Sequence, residues 1–180
     1  LMNHGNRSLY FRDYPYQIPV PVYVFNDKAM EPDPTVEVRK LTHIVFPKLE
    51  DRYKLQDETI LIIDRSVENG LVSLDGLLSS IDSYLQHNWS SHLRRVFLRL
   101  HPQQTIGEKV FALLESRVIQ YEVLPHSVSL ESMFHYGRRL TVIGFHSSLL
   151  FYAALWGHQS YSLLNFLFSF DPELRFRYYE

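Results

Sequence analysis

From residue 59 onward the chain alternates between two rhythms of apolar and polar positions. Unbroken β-branched or aliphatic runs give way to stretches in which apolar side chains return every three or four positions. "TILIID" (59–64) is a run of the first kind. It lacks the in–out alternation of a half-exposed strand, so it reads as a strand covered on both faces. After the loop "RSVENGLVS", Leu74, Leu77, Leu78, Ile81 and Leu85 recur at helical spacing, with Ser73 placed to cap the helix. "RVFLRL" (95–100) predicts a strand, "GEKVFALLESR" (107–117) a helix with Val110, Leu113 and Leu114 on one side, and "VIQYEVL" (118–124) a strand. "SLESMFHY" (129–136) predicts a short helix opened by Ser129, with Glu131 one place too early for a full capping box. "LTVIGF" (140–145) predicts a strand, and "SSLLFYAALWG" (147–157) a helix with serines at its start and Gly157 past its end. "YSLLNFLFSF" (161–170) is apolar throughout and reads as largely strand.

Strand and helix alternate across short connections, which implies right-handed βαβ units and a parallel sheet with helices on both faces. The expected fold is a Rossmann-like α/β domain over residues 55–180. Residues 1–54 differ. Pro15, Pro19, Pro21, Pro32 and Pro34 fall within "RDYPYQIPVPVYVFNDKAMEPDPT", so this part reads as an extended, turn-rich lead-in or linker. One short strand, Val22 to Phe25, fits between the prolines; "THIVFP" (42–47) suggests another, and "DRYKLQDE" a loop.

Composition narrows the classes. The 180 residues are 46% hydrophobic and 21% charged, enough for one sizeable core. A net charge of -2 argues against a nucleic-acid binder. Without cysteine there is neither a disulfide nor a thiolate metal site. No apolar stretch reaches membrane-spanning length, the longest being Leu149 to Leu155, and the start does not look like a signal peptide. The nine histidines include no HExxH, and His87 and His92 stand five apart, so no metal site is expected. GxGxxG and GxSxG motifs are absent too.

In open parallel sheets, ligands bind outside the carboxyl ends of the strands. Three such ends carry chemistry here. The first leads into Glu68, Asn69 and Gly70, the second into His101-Pro102, the third into His146, Ser147 and Ser148. A helix start offers unpaired N–H groups and a positive dipole end to a phosphate, and serine hydroxyls add to it. His101 can donate a proton to an anionic leaving group, with Pro102 stiffening its turn. Glu68 can serve as a base or bind sugar hydroxyls, and Gly70 permits a backbone conformation other residues avoid. Taken singly, these are a cap, a turn and a surface turn; their shared sheet edge suggests a nucleotide-bound donor whose phosphate departs. Arg138 and Arg139 read as solvated charges.

The order of "SVENGLVS", "LRLHPQQ" and "VIGFHSSLL" resembles the bacterial sialyltransferases that modify lipooligosaccharide and the related capsule polysialyltransferases. Their shared pattern is an acidic-acidic-Gly motif, a His-Pro motif and a Ser/Thr-Ser/Thr motif. "YEVLPHSVSLESMF" is similar to the strand, proline and short helix between the last two, and the resemblance covers roughly residues 59–157. It implies the C-terminal, donor-binding half of a two-domain GT-B glycosyltransferase. The implied reaction moves sialic acid from CMP-sialic acid to a glycan hydroxyl, inverting and without a metal. His101 would be the general acid or phosphate partner, Ser147 and Ser148 would hold the CMP phosphate, and the acidic motif would supply the base. Pro102, Gly70 and Asn69 would complete the donor site. No separate cofactor is implied; the partners are the nucleotide-sugar donor and the glycan acceptor. The implied setting is the bacterial cytoplasm, with peripheral attachment at the inner face of the membrane left open.

Two features depart from that pattern. Asn69 replaces the second acid, and an amide is no ordinary base, which leaves Glu68; Asp64 and Asp75 lie outside the motif. The chain is also short for two Rossmann domains, and Leu1 precedes Met2, so a fragment with its N-terminal domain missing is expected. The competing readings are a transferase for another nucleotide sugar and a non-catalytic domain that binds a nucleotide or a protein. Asn69 favours the latter, and the intact His-Pro and Ser-Ser pairs favour an enzyme.

Overall fold

A computed structural model describes residues 22–24, 38–40, 46–88 and 95–170. The chain forms two compact units, one built on Leu1–Val45 and one on Phe46–Tyr178. In the first, β1 (Val22–Val24) and β2 (Val38–Lys40) pair in parallel, Val22 opposite Val38. β2 was not expected from the sequence. Of the strand expected at 42–47, residues 42–45 lie outside the described residues, as does His92, and Phe46 and Pro47 carry no strand.

The second unit holds β3 (Thr59–Ile63), α1 (Leu74–Asn88), β4 (Arg95–Leu100), α2 (Gly107–Ser116), β5 (Gln120–Val123), α3 (Leu130–Tyr136), β6 (Thr141–Gly144), α4 (Ser148–Leu155), β7 (Gln159–Ser162) and α5 (Leu164–Phe170). The five strands form one parallel sheet in the order β5-β4-β3-β6-β7. The chain therefore starts at the centre, moves outward to β5, crosses back beside β3, and moves outward the other way. This is the doubly wound Rossmann-like arrangement, with its reversal between β3 and β6.

All five residues of β3 are buried, as its unbroken apolar run predicts. Alternate side chains enter different cores. Leu61 and Ile63 join Val96, Leu98, Ile143 and residues of α1, α2 and α5; Ile60 and Ile62 join Phe97, Val142 and residues of α3 and α4. Leu49 and Tyr53, from the stretch the sequence assigned to the lead-in, pack into this second core beside Leu55.

The apolar stretch 161–170 corrects the sequence reading. Only Tyr161 and Ser162 belong to a strand; residues 164–170 are helix. A wholly apolar run has no periodicity to separate the two forms. Packing decides it: Leu163 and Leu167, four apart, are both buried in the core that includes α1. A side chain at Gly76 of α1 would meet Leu167 Cδ1 at 3.0 Å, so the glycine makes room for α5.

Candidate functional site

The carboxyl ends of β3 and β4 are level, Ile63 opposite Leu100, and β6 flanks β3 on its other side. Three adjacent strands thus release their loops at one edge, around the reversal. A cavity of about 330 Å³ opens there. Its wall includes Asp64, His101, Pro102, His126, Glu131 and Ser147. Of the residues singled out from the sequence, His101, Pro102 and Ser147 share this wall; Ser148, Glu68, Asn69 and Gly70 are not part of it.

His101 continues β4 by donating its backbone N–H to Ile63 O at 2.9 Å. Its carbonyl accepts from Gln104 N at 3.0 Å, closing the turn that Pro102 stiffens. Its ring Nδ1 accepts the Gln103 N–H at 3.1 Å. An accepting Nδ1 places the proton of the neutral ring on Nε2. The exposed imidazole is thereby set up as a donor through one defined nitrogen.

Ser147 is the N-cap of α4, and its Oγ accepts from Leu149 N at 3.3 Å. Ser148 is the first helical residue and is exposed. Asp64 fixes this loop from β3. Its Oδ1 accepts from Ser66 N at 2.9 Å and its Oδ2 from His146 N at 3.1 Å. The carboxylate thus joins the loops on the two sides of the reversal.

The acidic motif folds as a tight turn. Asn69 N donates to Arg65 O, and Leu71 N to Ser66 O, each at 2.9 Å. Gly70 sits there at φ +70°, a left-handed conformation that favours glycine. Glu68 turns toward the His-Pro loop: its Oε1 accepts from Thr105 N at 2.5 Å and from Thr105 Oγ1 at 3.2 Å. Its Oε2 is buried without a hydrogen-bond partner. Burial raises the Glu68 carboxyl, but the Thr105 and Glu68 backbone N–H groups, the Thr105 hydroxyl and the charge of Arg65 outweigh it and hold it below the usual glutamate range.

Arg99, His126, Ser129 and Glu131 also line the cavity and were not singled out from the sequence. The rule that pointed to His101 applies equally to the end of β5, whose following loop carries His126 and Ser129. Arg99 donates to Pro125 O at 2.8 Å and also to Val128 O, tying that loop to β4. Burial lowers the affinity of its guanidinium for the proton, and the Glu131 charge opposes that shift. Glu131 Oε2 accepts from Ser129 Oγ at 2.8 Å.

A protein-family model described as Alpha-2,8-polysialyltransferase (POLYST) matches residues 10–160. The match takes in all three motif loops and extends into the N-terminal unit. No curated protein and no solved structure matches the chain.

Proposed function

The chain belongs to the alpha-2,8-polysialyltransferase family, and from that premise we propose that the crevice beside the β3–β6 reversal binds CMP-sialic acid and that sialic acid passes from it to a glycan hydroxyl. Membership makes the protein a sialyltransferase-type glycosyltransferase. The donor, the inverting course and the independence from metal are the proposal. One observation carries it: the His101-Pro102 pair and Ser147, which lie far apart in sequence, line one cavity at the place where this fold class binds nucleotides.

In the proposed reaction the acceptor oxygen attacks the anomeric carbon of sialic acid. The bond from that carbon to the phosphate oxygen breaks, and its electron pair stays on the phosphate. His101 Nε2 donates a proton or hydrogen bond to that oxygen. The start of α4, with Ser147 and Ser148, meets the remaining phosphate charge with N–H and hydroxyl donors. The acceptor hydroxyl gives up its proton to a carboxylate. Glu68, which the motif resemblance marks as the base, holds Thr105 here, whereas Asp64 and Glu131 line the cavity.

Calorimetry with CMP, and with UMP for comparison, tests the donor site. CMP should bind the intact chain in preference to UMP. His101→Ala should weaken it about tenfold, the worth of one hydrogen bond to a charged group. Ser147→Ala combined with Ser148→Ala should weaken it as well; because losing the cap costs about 1 kcal/mol of stability, melting curves accompany the titration. A folded intact protein that ignores CMP would sink the reading.

A further inference from the structure

We propose that Glu68 is a positioning residue: with Arg65 it braces the turn that presents His101 with its proton on Nε2. The inference assigns a different role to the acidic motif from the one the resemblance implies, and it rests on the reading of His101 as donor.

The connections run in one direction. Glu68 Oε1 takes both the backbone N–H and the hydroxyl of Thr105. Arg65 Nη1 donates to Gln103 Oε1 at 2.6 Å. Gln103 then donates its own N–H to His101 Nδ1. Residues 103 and 105 are therefore each held from the loop after β3, and the residue held by Arg65 is the one that selects the tautomer of His101. Loss of either tie loosens the turn and lets Nδ1 compete for the proton.

The same contacts leave Glu68 poorly placed as a base. One carboxylate oxygen accepts two hydrogen bonds, and the other is buried. Its lowered proton affinity points the same way. Because only Oε1 is bonded to the neighbouring loop, an amide oxygen in its place can make the same contacts. Asn69 beside it then raises no difficulty, since positioning does not require a second carboxylate in the turn.

Nitrogen-15 NMR of the histidine rings in the full chain, at mildly alkaline pH, tests this. His101 is assigned from the signal lost in His101→Ala. The intact protein should show His101 with Nε2 protonated and Nδ1 bare. Glu68→Ala should lower the ratio of the Nε2–H to the Nδ1–H tautomer about tenfold, as expected for loss of roughly one hydrogen bond. Glu68→Gln should restore the ratio. Arg65→Ala, which breaks the other tie, should lower it too and serves as the second variant if Glu68→Ala does not fold. An unchanged ratio in a folded Glu68→Ala or Arg65→Ala protein overturns the proposal. So does a Glu68→Gln protein that keeps the ratio yet loses turnover of CMP-sialic acid, because Glu68 would then act on the substrate itself. Absence of CMP binding in the intact chain would instead overturn the donor site, leaving the ring measurement to decide the bracing role.

Discussion

His101 and His158 show how much a single residue owes to its surroundings. His158 is buried; its Nε2 meets Phe134 O at 2.8 Å and its Nδ1 faces Leu140 N at 3.4 Å. Both ring nitrogens serve the core. His101 commits only Nδ1 to its own turn. The sequence separates the two because His101 follows a buried strand directly and precedes a proline. Ser147 is legible for a similar reason, as the capping position after β6. The partner of Glu68 was not legible, since Thr105 lies 37 positions away and only the register of β3 against β4 brings it near. Arg99 reads as a strand residue until the loop it binds is in place. Arg139 was expected to be solvated; it is exposed and pairs with Asp57 at 2.5 Å.

Tyr84 supplies a pH test at this scale. Burial, with Tyr161 nearby, pushes its phenol up to about 12. A raised folded value means the buried neutral ring contributes fully below the ordinary value of 10 and loses that contribution as pH rises toward about 12. Urea unfolding at increasing alkaline pH should show stability falling across this window. Tyr84→Phe should fall less steeply, and equal slopes would show that Tyr84 is not the group responsible.

At the scale of elements, chain reversals after helices were legible where glycine marks them and hidden where it does not. Gly157 follows α4 at φ +81°, and His158 N reaches back to Ala153 O at 3.0 Å. The end of α2 makes the same kind of closure, Ile119 N to Leu114 O at 2.9 Å, but the left-handed position is held by Val118 at φ 57°. A β-branched side chain is strained there, and 89% of its surface is exposed, so little packing offsets the strain. Val118→Gly should raise stability by about 0.5–1 kcal/mol after the greater unfolded-state freedom of glycine is counted. Thermal melts of the two proteins measure it, and a lower melting temperature for the glycine variant would contradict the account. α5 was misread for a different reason: its helical form is set by the α1 surface it covers, and no local signal reports that surface.

For the molecule as a whole, the strand–helix alternation was enough to give the parallel sheet and the edge where the candidate site is sought. It did not give strand order, because a repeating pattern does not say which way the chain turns after each helix. Phe97 lies near the middle of that order, 1% exposed, in the core with α3 and α4. Phe97→Ala should cost about 3–5 kcal/mol in chemical denaturation, as a buried ring replaced by a cavity does. A loss under about 1 kcal/mol would mean this side of the sheet is far less tightly packed than the structure shows.

The β3–β6 reversal also dictates a sequence of events during synthesis. One edge of β3 is covered by β4, but its other edge waits for β6, and Asp64 waits for His146, 82 positions later. At about 5–20 residues per second, a ribosome takes roughly 4–16 s to make that intervening chain. Throughout that interval the nascent protein carries its central strand with at least one edge open, a surface that other growing chains can pair with. The crevice proposed as the donor site comes into being only when β6 closes that edge.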